Sequence, residues 1–218
     1  MGRKFKIERD YWDEGQVLYR KANIEINPGI TVLVGCNGSG KTTLITQLKN
    51  VLRKEKVVYT NFDNLSDGGE MARSWAGYTG NMSFLATAVM SSEGENIVMN
   101  IGNYAIKIRK AVEKVKDMEN KELWIFFDAV DSGLSIDGIK EIKDDFLKLV
   151  QDDCKAKGIE LYIIISTNAY EFANGEQCFD VYNGKYRTFK SYDDYSKFIC
   201  KSREIKNKRY KANNKEEE

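Results

Sequence analysis

Residues 35–42 read Gly35-Cys36-Asn37-Gly38-Ser39-Gly40-Lys41-Thr42, a complete G-x-x-x-x-G-K-[ST] loop, and this run constrains the fold more than any other. An apolar stretch, ITVLV (30–34), leads into it, and TTLITQLKNVL (42–52) leaves it with helical spacing. Strand, glycine turn and helix are the setting in which such a loop wraps phosphate. The glycines let backbone N–H groups curl around phosphate oxygens, and the helix that follows points its positive end at them. Gly35 through Thr43 is therefore the expected nucleotide-binding run. Lys41 is predicted to reach the β- and γ-phosphates of a nucleoside triphosphate, and the Thr42 hydroxyl to ligate Mg²⁺. A glycine turn that merely opens a helix is the plain alternative, and the well-placed strand and helix disfavour it.

Composition narrows the classes. With 218 residues the chain suits one domain with a sizeable core. Lys and Arg (34) nearly balance Asp and Glu (33), so no global field draws it to nucleic acid or membrane. No apolar run approaches the roughly 20 residues a bilayer span needs. The opening MGRKFKIERD lacks the apolar centre of a secretory signal, and the four cysteines (36, 154, 178, 200) form no C-x-x-C pair. The expected setting is the cytoplasm, with no membrane partner. Because the sequence has no histidine, a His base, a His metal ligand and any Ser-His or Cys-His nucleophile are excluded.

Patterning along the chain predicts an α/β fold. FKIERDYW and VLYRKANIEI cluster apolar residues in β-like runs, and Asn27-Pro28-Gly29 turns the chain into ITVLV. Two antiparallel strands feeding the loop strand are expected over residues 3–34, and KVVYT (56–60) reads as another strand. Residues 61–91 show no clean period. From Ser92-Glu93-Gly94-Glu95 to about Lys116, the stripe Ile97, Ile101, Tyr104, Ile108 and Val112 predicts a helix. LWIFFD (123–128) and LYIIIST (161–167) look like strands buried on both faces. Between them Ile136, Ile139, Ile142, Phe146, Leu149 and Val150 predict one amphipathic helix. CFDVYNGKYRTF reads as a hairpin turning at Asn183-Gly184. The expected architecture is a mostly parallel sheet flanked by helices, with an N-terminal antiparallel β-subdomain, over residues 1–196. The stretch 197–218 is basic then acidic, its last dozen residues have too little apolar content to pack, and it is expected to be a mobile tail.

Three further segments follow the loop in a telling order. Asp128 ends the LWIFF strand, where a carboxylate beside a phosphate loop can hold Mg²⁺ through its water shell; capping a turn is its plain alternative. Asp131-Ser132-Gly133-Leu134-Ser135 comes just after, and Ser91-Ser92-Glu93-Gly94-Glu95 lies before both. Phosphate loop, S-x-G-E signature, acidic strand end and S-x-L loop together resemble the ABC-type ATPase superfamily of P-loop NTPases, over most of residues 3–190. DSGLSID, the S-x-G-E form and the lack of a coiled coil make the chain look most like RecF/SMC-type heads and their stand-alone bacterial and phage relatives. The resemblance implies a hydrolase that binds ATP and Mg²⁺ between two copies arranged head to tail. Ser92 and the N–H groups near Gly94 would then ligate the γ-phosphate bound by the partner copy, while Ser92 and Glu95 can also form a capping box. Ser132 and Leu134 match the loop that crosses between sites. Tyr11 or Trp12 stands where the family stacks adenine, and either suits a core role equally well.

The chain also departs from that family. The acidic strand normally ends Asp-Glu, and here it ends Asp128-Ala129. A methyl group neither takes a proton nor holds a water, and losing a positioned base typically costs roughly 10²–10⁴-fold. Three explanations stand open: a deliberate Glu-to-Ala change that traps ATP, a natural slow hydrolase or ATP-gated switch, or Asp131 acting instead. Asn168 occupies the place where the family usually carries His. Asn61 and Asp63 are the only candidates for the missing Mg²⁺-coordinating glutamine. Cys36 lies beside Lys41 at a helix N-terminus, conditions that lower a thiol pKa. On that basis N-ethylmaleimide is expected to abolish nucleotide binding, with ATP protecting.

The resulting expectation is an ATP-dependent, dimerising and slow ATPase head acting in nucleic-acid metabolism or phage–host conflict. Lys197, Lys201, Arg203, Lys206, Lys208, Arg209 and Lys211 stand against Glu204 alone and offer a contact for DNA or RNA phosphates; a solvated tail is the plain alternative. The competing reading is a hydrolysis-deficient, ATP-gated protein that controls a partner protein docked on 61–91. A transporter ATPase subunit is disfavoured by the short lobe between Lys41 and Ser92. No Asn-Lys-x-Asp guanine reader is present.

Overall fold

A computed structural model describes residues 2–10, 17–63 and 93–213. The chain divides into two compact units, Met1–Lys56 with Ser166–Glu218, and Val57–Ile165.

In the first unit β1 (Arg3–Lys6) and β2 (Asn23–Ile26) pair antiparallel, with Phe5 opposite Ile24. Phe5, Ile24 and Ile26 are buried while Lys4, Lys6 and Glu25 face out, the period-two alternation of a one-sided sheet. β3 (Gly29–Val34) is buried from Ile30 onward and runs straight into the glycine-rich loop, which α1 (Lys41–Lys54) leaves. Gln47 on α1 exchanges two hydrogen bonds with the Glu8 backbone, accepting at 2.7 Å and donating at 3.0 Å, and so ties the helix to the chain after β1.

Two more strands of this unit, β7 (Gln177–Asp180) and β8 (Lys185–Arg187), form the expected hairpin. Gly184 at its turn has φ +60°, which glycine adopts without strain. β7 lies parallel to β3, with Leu33 opposite Phe179.

The second unit holds β4 (Val58–Asp63), β5 (Glu122–Asp128) and β6 (Glu160–Ser166, whose last residue belongs to the first unit). β4 and β5 are parallel, in register from Val58 opposite Leu123 to Asp63 opposite Asp128, and β6 neighbours β5. Every residue of β5 is buried, as its unbroken apolar run requires. Helix α2 (Glu93–Lys116) packs on β4 and β5. Its Tyr104 ring lies 5.6 Å from Phe62 and 5.5 Å from Phe127, and its hydroxyl bonds Thr60. Trp124 stacks on Tyr162 at 4.1 Å and donates its indole N–H to Glu122 Oε1 at 2.6 Å, which satisfies a fully buried donor. The fold is thus α/β, with mostly parallel strands and a separate antiparallel pair.

Two expectations need correction. The single helix expected over 136–150 is instead α3 (Ile136–Lys140), a π-helical stretch (Glu141–Leu147) and α4 (Lys148–Ala156). The wider π turn keeps Ile142 and Leu147, five residues apart, on the buried side, and leaves Ile136 and Leu149 exposed.

Nor does a mobile tail begin at Lys197. A short helix, α5 (Tyr170–Ala173), is followed by α6 (Tyr192–Asn213), which continues through the basic stretch. Aromatic rings and guanidinium planes supply the packing that few aliphatics provide. Phe189 meets Tyr195 at 5.0 Å and Phe198 at 5.4 Å, while Asp193 pairs with Lys197 one turn on at 2.6 Å. Residues 214–218 lie outside the described residues. Among the described residues no helix is long and apolar enough to cross a membrane.

Candidate functional site

The glycine-rich loop turns directly from buried β3 into α1, and its glycines are needed for the shape. Gly35 has φ +154°, and a Cβ there would sit 2.5 Å from Ser39 Oγ. Gly38 has φ +72°, and a Cβ there would collide with the Lys206 ammonium. The chain therefore folds tightly enough for Ser39 N–H to donate back to the Cys36 carbonyl at 3.1 Å.

Lys41 opens α1 with its side chain turned inward, and the residue is 9% exposed. Its Nζ donates to the Gly35 carbonyl at 2.9 Å, to Asn168 Oδ1 at 3.0 Å and to the Cys36 carbonyl at 3.5 Å. Ser39 is 2% exposed and its hydroxyl has no hydrogen-bond partner among the described residues. Burying such a group unsatisfied costs about 1–3 kcal/mol, which an acceptor in the loop would offset. The loop thus joins an inward ammonium, an unsatisfied hydroxyl and a helix N-terminus, a combination suited to an oxyanion. Thr42 is exposed on the first turn of α1 and Thr43 half-buried beside it.

Asn168, in the place where the resembled family carries His, lies against this loop through Lys41. Its carbonyl accepts the Tyr195 hydroxyl at 2.9 Å, which fixes the segment against α6. Three other supports had no signal in sequence. The Tyr19 hydroxyl donates to the Gly40 carbonyl at 2.8 Å. Ser202 Oγ accepts the Cys36 N–H at 3.1 Å, and Lys206 Nζ donates to the Asn37 carbonyl at 2.9 Å. Both α6 contacts are about 170 residues away in sequence, and only the excess of positive charge there hinted at a role. Cys36 itself is 1% exposed, so the expected alkylation does not follow from its surroundings: the thiol is not offered to solvent. Of the four cysteines only Cys200 is exposed.

In the second unit Asp128 closes β5, 6% exposed, in register with Asp63 at the end of β4. Of the two candidates there, Asp63 is thus the one level with Asp128, while Asn61 is level with Phe126. Ala129 follows with φ +53°, a left-handed conformation that costs a non-glycine residue about 1–2 kcal/mol. Its carbonyl accepts Ser132 N–H at 3.2 Å and that of Asp131 accepts Leu134 N–H at 3.3 Å, so DSGLS is a tight turn leading to α3. Asp131 is half-buried in it. Among the described residues no three acidic or cysteine side chains gather into a metal-binding group.

Gly94 and Glu95 lie on the first turn of α2, with their side chains outside the described residues, as are Tyr11, Trp12 and Ser92 altogether. No family model matches the sequence, and no curated protein matches it.

Proposed function

We propose that this chain is an ATP-binding P-loop NTPase of ABC-type architecture that dimerises head to tail around Mg-ATP and hydrolyses it slowly. The observation that carries this reading is the loop between β3 and α1, where glycine turns enclose the buried Lys41 ammonium and the unsatisfied Ser39 hydroxyl. Both are groups that can donate to an anionic oxygen. A bound triphosphate supplies such oxygens, and Mg²⁺ beside it would offset their charge. Lys41 and Ser39 would bind the phosphates, with the N–H groups through Thr43. Thr42 in the first unit and Asp128 in the second are the candidate metal ligands, and Tyr11 or Trp12 the adenine stack. The S-x-G-E run, Ser92 to Glu95, would face the phosphate loop of a second copy. Nucleic-acid metabolism or phage–host conflict is the setting that the resemblance to RecF/SMC-type heads suggests.

A second reading, an ATP-gated regulator with no turnover, is favoured by two specific observations. Ala129 presents a methyl group where a water-activating carboxylate is expected, and Asn168 offers Lys41 an uncharged amide. The two readings divide on Mg-ATP turnover, measured with sizing chromatography in parallel on this chain and on Ala129→Glu. Fast turnover only in the Glu version, with an ATP-locked dimer in this chain, identifies a hydrolase lacking its base. An ATP-dependent dimer with no turnover in either identifies a switch. No nucleotide-dependent change in either refutes both.

A further inference from the structure

Between α6 and the β7–β8 hairpin, within the first unit, lies a cavity of about 130 Å³. That is many times the roughly 10–15 Å³ one water needs. Its lining includes Arg187, Lys201 and Arg209, with Tyr182, Phe198 and Asp180. The Arg187 guanidinium lies over Phe189 at 4.5 Å and Phe198 at 4.2 Å, and that of Arg209 over Tyr182 at 4.3 Å. Stacking on ring faces fixes each guanidinium plane and leaves its N–H edge to find acceptors. Arg209 gives Nη1 to the Val17 carbonyl at 2.6 Å. The Nε atoms of both arginines are buried out of reach of the cavity's free volume, with no hydrogen-bond partner among the described residues.

Two guanidinium groups on one cavity favour an anion there, and the cavity's own carboxylate does not serve them. Both Asp180 oxygens accept from Asn183, at 3.1 Å from its backbone N–H and 2.7 Å from its side-chain amide. Asp194 stands 3.8 Å from Arg187 Nη2, too far for a hydrogen bond. Three cations against one occupied carboxylate leave the lining positive. Donors arriving from β8 and from two positions on α6 match a group with several separated oxygens better than a planar carboxylate.

We propose that this cavity binds a phosphate monoester group, carried by a free nucleotide or by the end of a nucleic-acid strand. Arg187 and Arg209 hold it through the outer N–H groups of their guanidinium ends, and Lys201, exposed on α6, meets it at the mouth. The proposal does not depend on what the glycine-rich loop binds.

The test follows the arginine Nε–H signals of the full ¹⁵N-labelled chain by NMR, with Arg187 and Arg209 assigned through Arg187→Lys and Arg209→Lys. Inorganic phosphate is titrated at constant ionic strength, then a 5′-phosphorylated dinucleotide and the same dinucleotide with a free 5′-hydroxyl. Both Nε–H signals should shift together and saturate with phosphate, and the 5′-hydroxyl compound should leave them in place. Lys201→Gln, a change at an exposed position, should weaken phosphate binding about fivefold without lowering the melting temperature. Tighter binding of the phosphorylated dinucleotide supports the strand end as the source, and binding no tighter than that of inorganic phosphate shows that the phosphate group alone is read, as for a free nucleotide. Signals that stay put or drift without saturating overturn the proposal, as does an unchanged affinity in Lys201→Gln. Because the signals belong to Arg187 and Arg209, a loop that fails to bind ATP leaves this result readable.

Discussion

Around the glycine-rich loop, Tyr19, Asn168, Ser202 and Lys206 each hold a loop atom or Lys41 in place, and every residue of the G-x-x-x-x-G-K-T pattern is present. At the end of β5 the picture differs. Asp128 sits where a metal-holding carboxylate is expected, but the next residue carries a single methyl group on a left-handed backbone. Holding a polyphosphate needs donors and charge, which a loop and one lysine can supply. Activating a water needs a placed base, and no arrangement of backbone replaces it. On the proposed reading, the contrast describes a protein better equipped to hold ATP than to consume it.

The largest effect should come from supplying the missing group. Ala129→Glu should raise Mg-ATP turnover by about 10²–10⁴-fold, read as phosphate release. An unchanged rate would mean that Asp131 already serves or that the strand end takes no part. Removing the ammonium comes next. Lys41→Ala should weaken ATP binding about a hundredfold by calorimetry, the loss typical of a buried charged contact. Equal affinity would break the comparison at its stronger side.

Smaller changes sharpen it. Ala129→Gly should raise stability by about 0.5–1 kcal/mol, the left-handed penalty less the chain entropy glycine gives up. Denaturant unfolding reads this out, and a destabilised variant would show that the Ala129 backbone carries no strain. Lys206→Ala should lower ATP affinity only about threefold, since the ammonium is half-exposed and braces the Asn37 carbonyl. Tighter binding instead would make α6 a restraint on the loop.

The mildest expected effect concerns the thiols. N-ethylmaleimide at neutral pH should modify one cysteine of the native chain, Cys200, and leave ATP binding intact, with all four reacting after denaturation. Burial pushes the Cys154 thiol up from 9.0 to about 11. The folded chain therefore retains that proton while the unfolded chain loses it, so stability should decline from about pH 9 to 11. Mass spectrometry of the labelled chain and unfolding across that pH range test the two statements.

Much of this was legible in sequence where a local pattern dictated it. β3 and its loop, the apolar runs at the centre of β5 and β6, and the Asn183-Gly184 hairpin all follow from short-range rules. The π stretch was not, because Ile142 and Leu147 fit a helical stripe only if one turn takes an extra residue. Nor was α6, whose packing rests on Arg187 and Arg209 lying over Phe198 and Tyr182, polar residues that composition counts against a core. At the site the loop could be anticipated from its place after an apolar strand, and Asn168 only from the resemblance. Tyr19, Ser202 and Lys206 could not, since nothing in their own surroundings marks them and only the fold brings them to the loop.

The most direct measurement is to incubate the chain with Mg-ATP, remove free nucleotide by gel filtration, and identify what stays bound. The account predicts retained, intact ATP, lost on Lys41→Ala. Retained ADP would contradict the view that the end of β5 lacks an effective base, and no bound nucleotide would contradict the assignment of the loop itself.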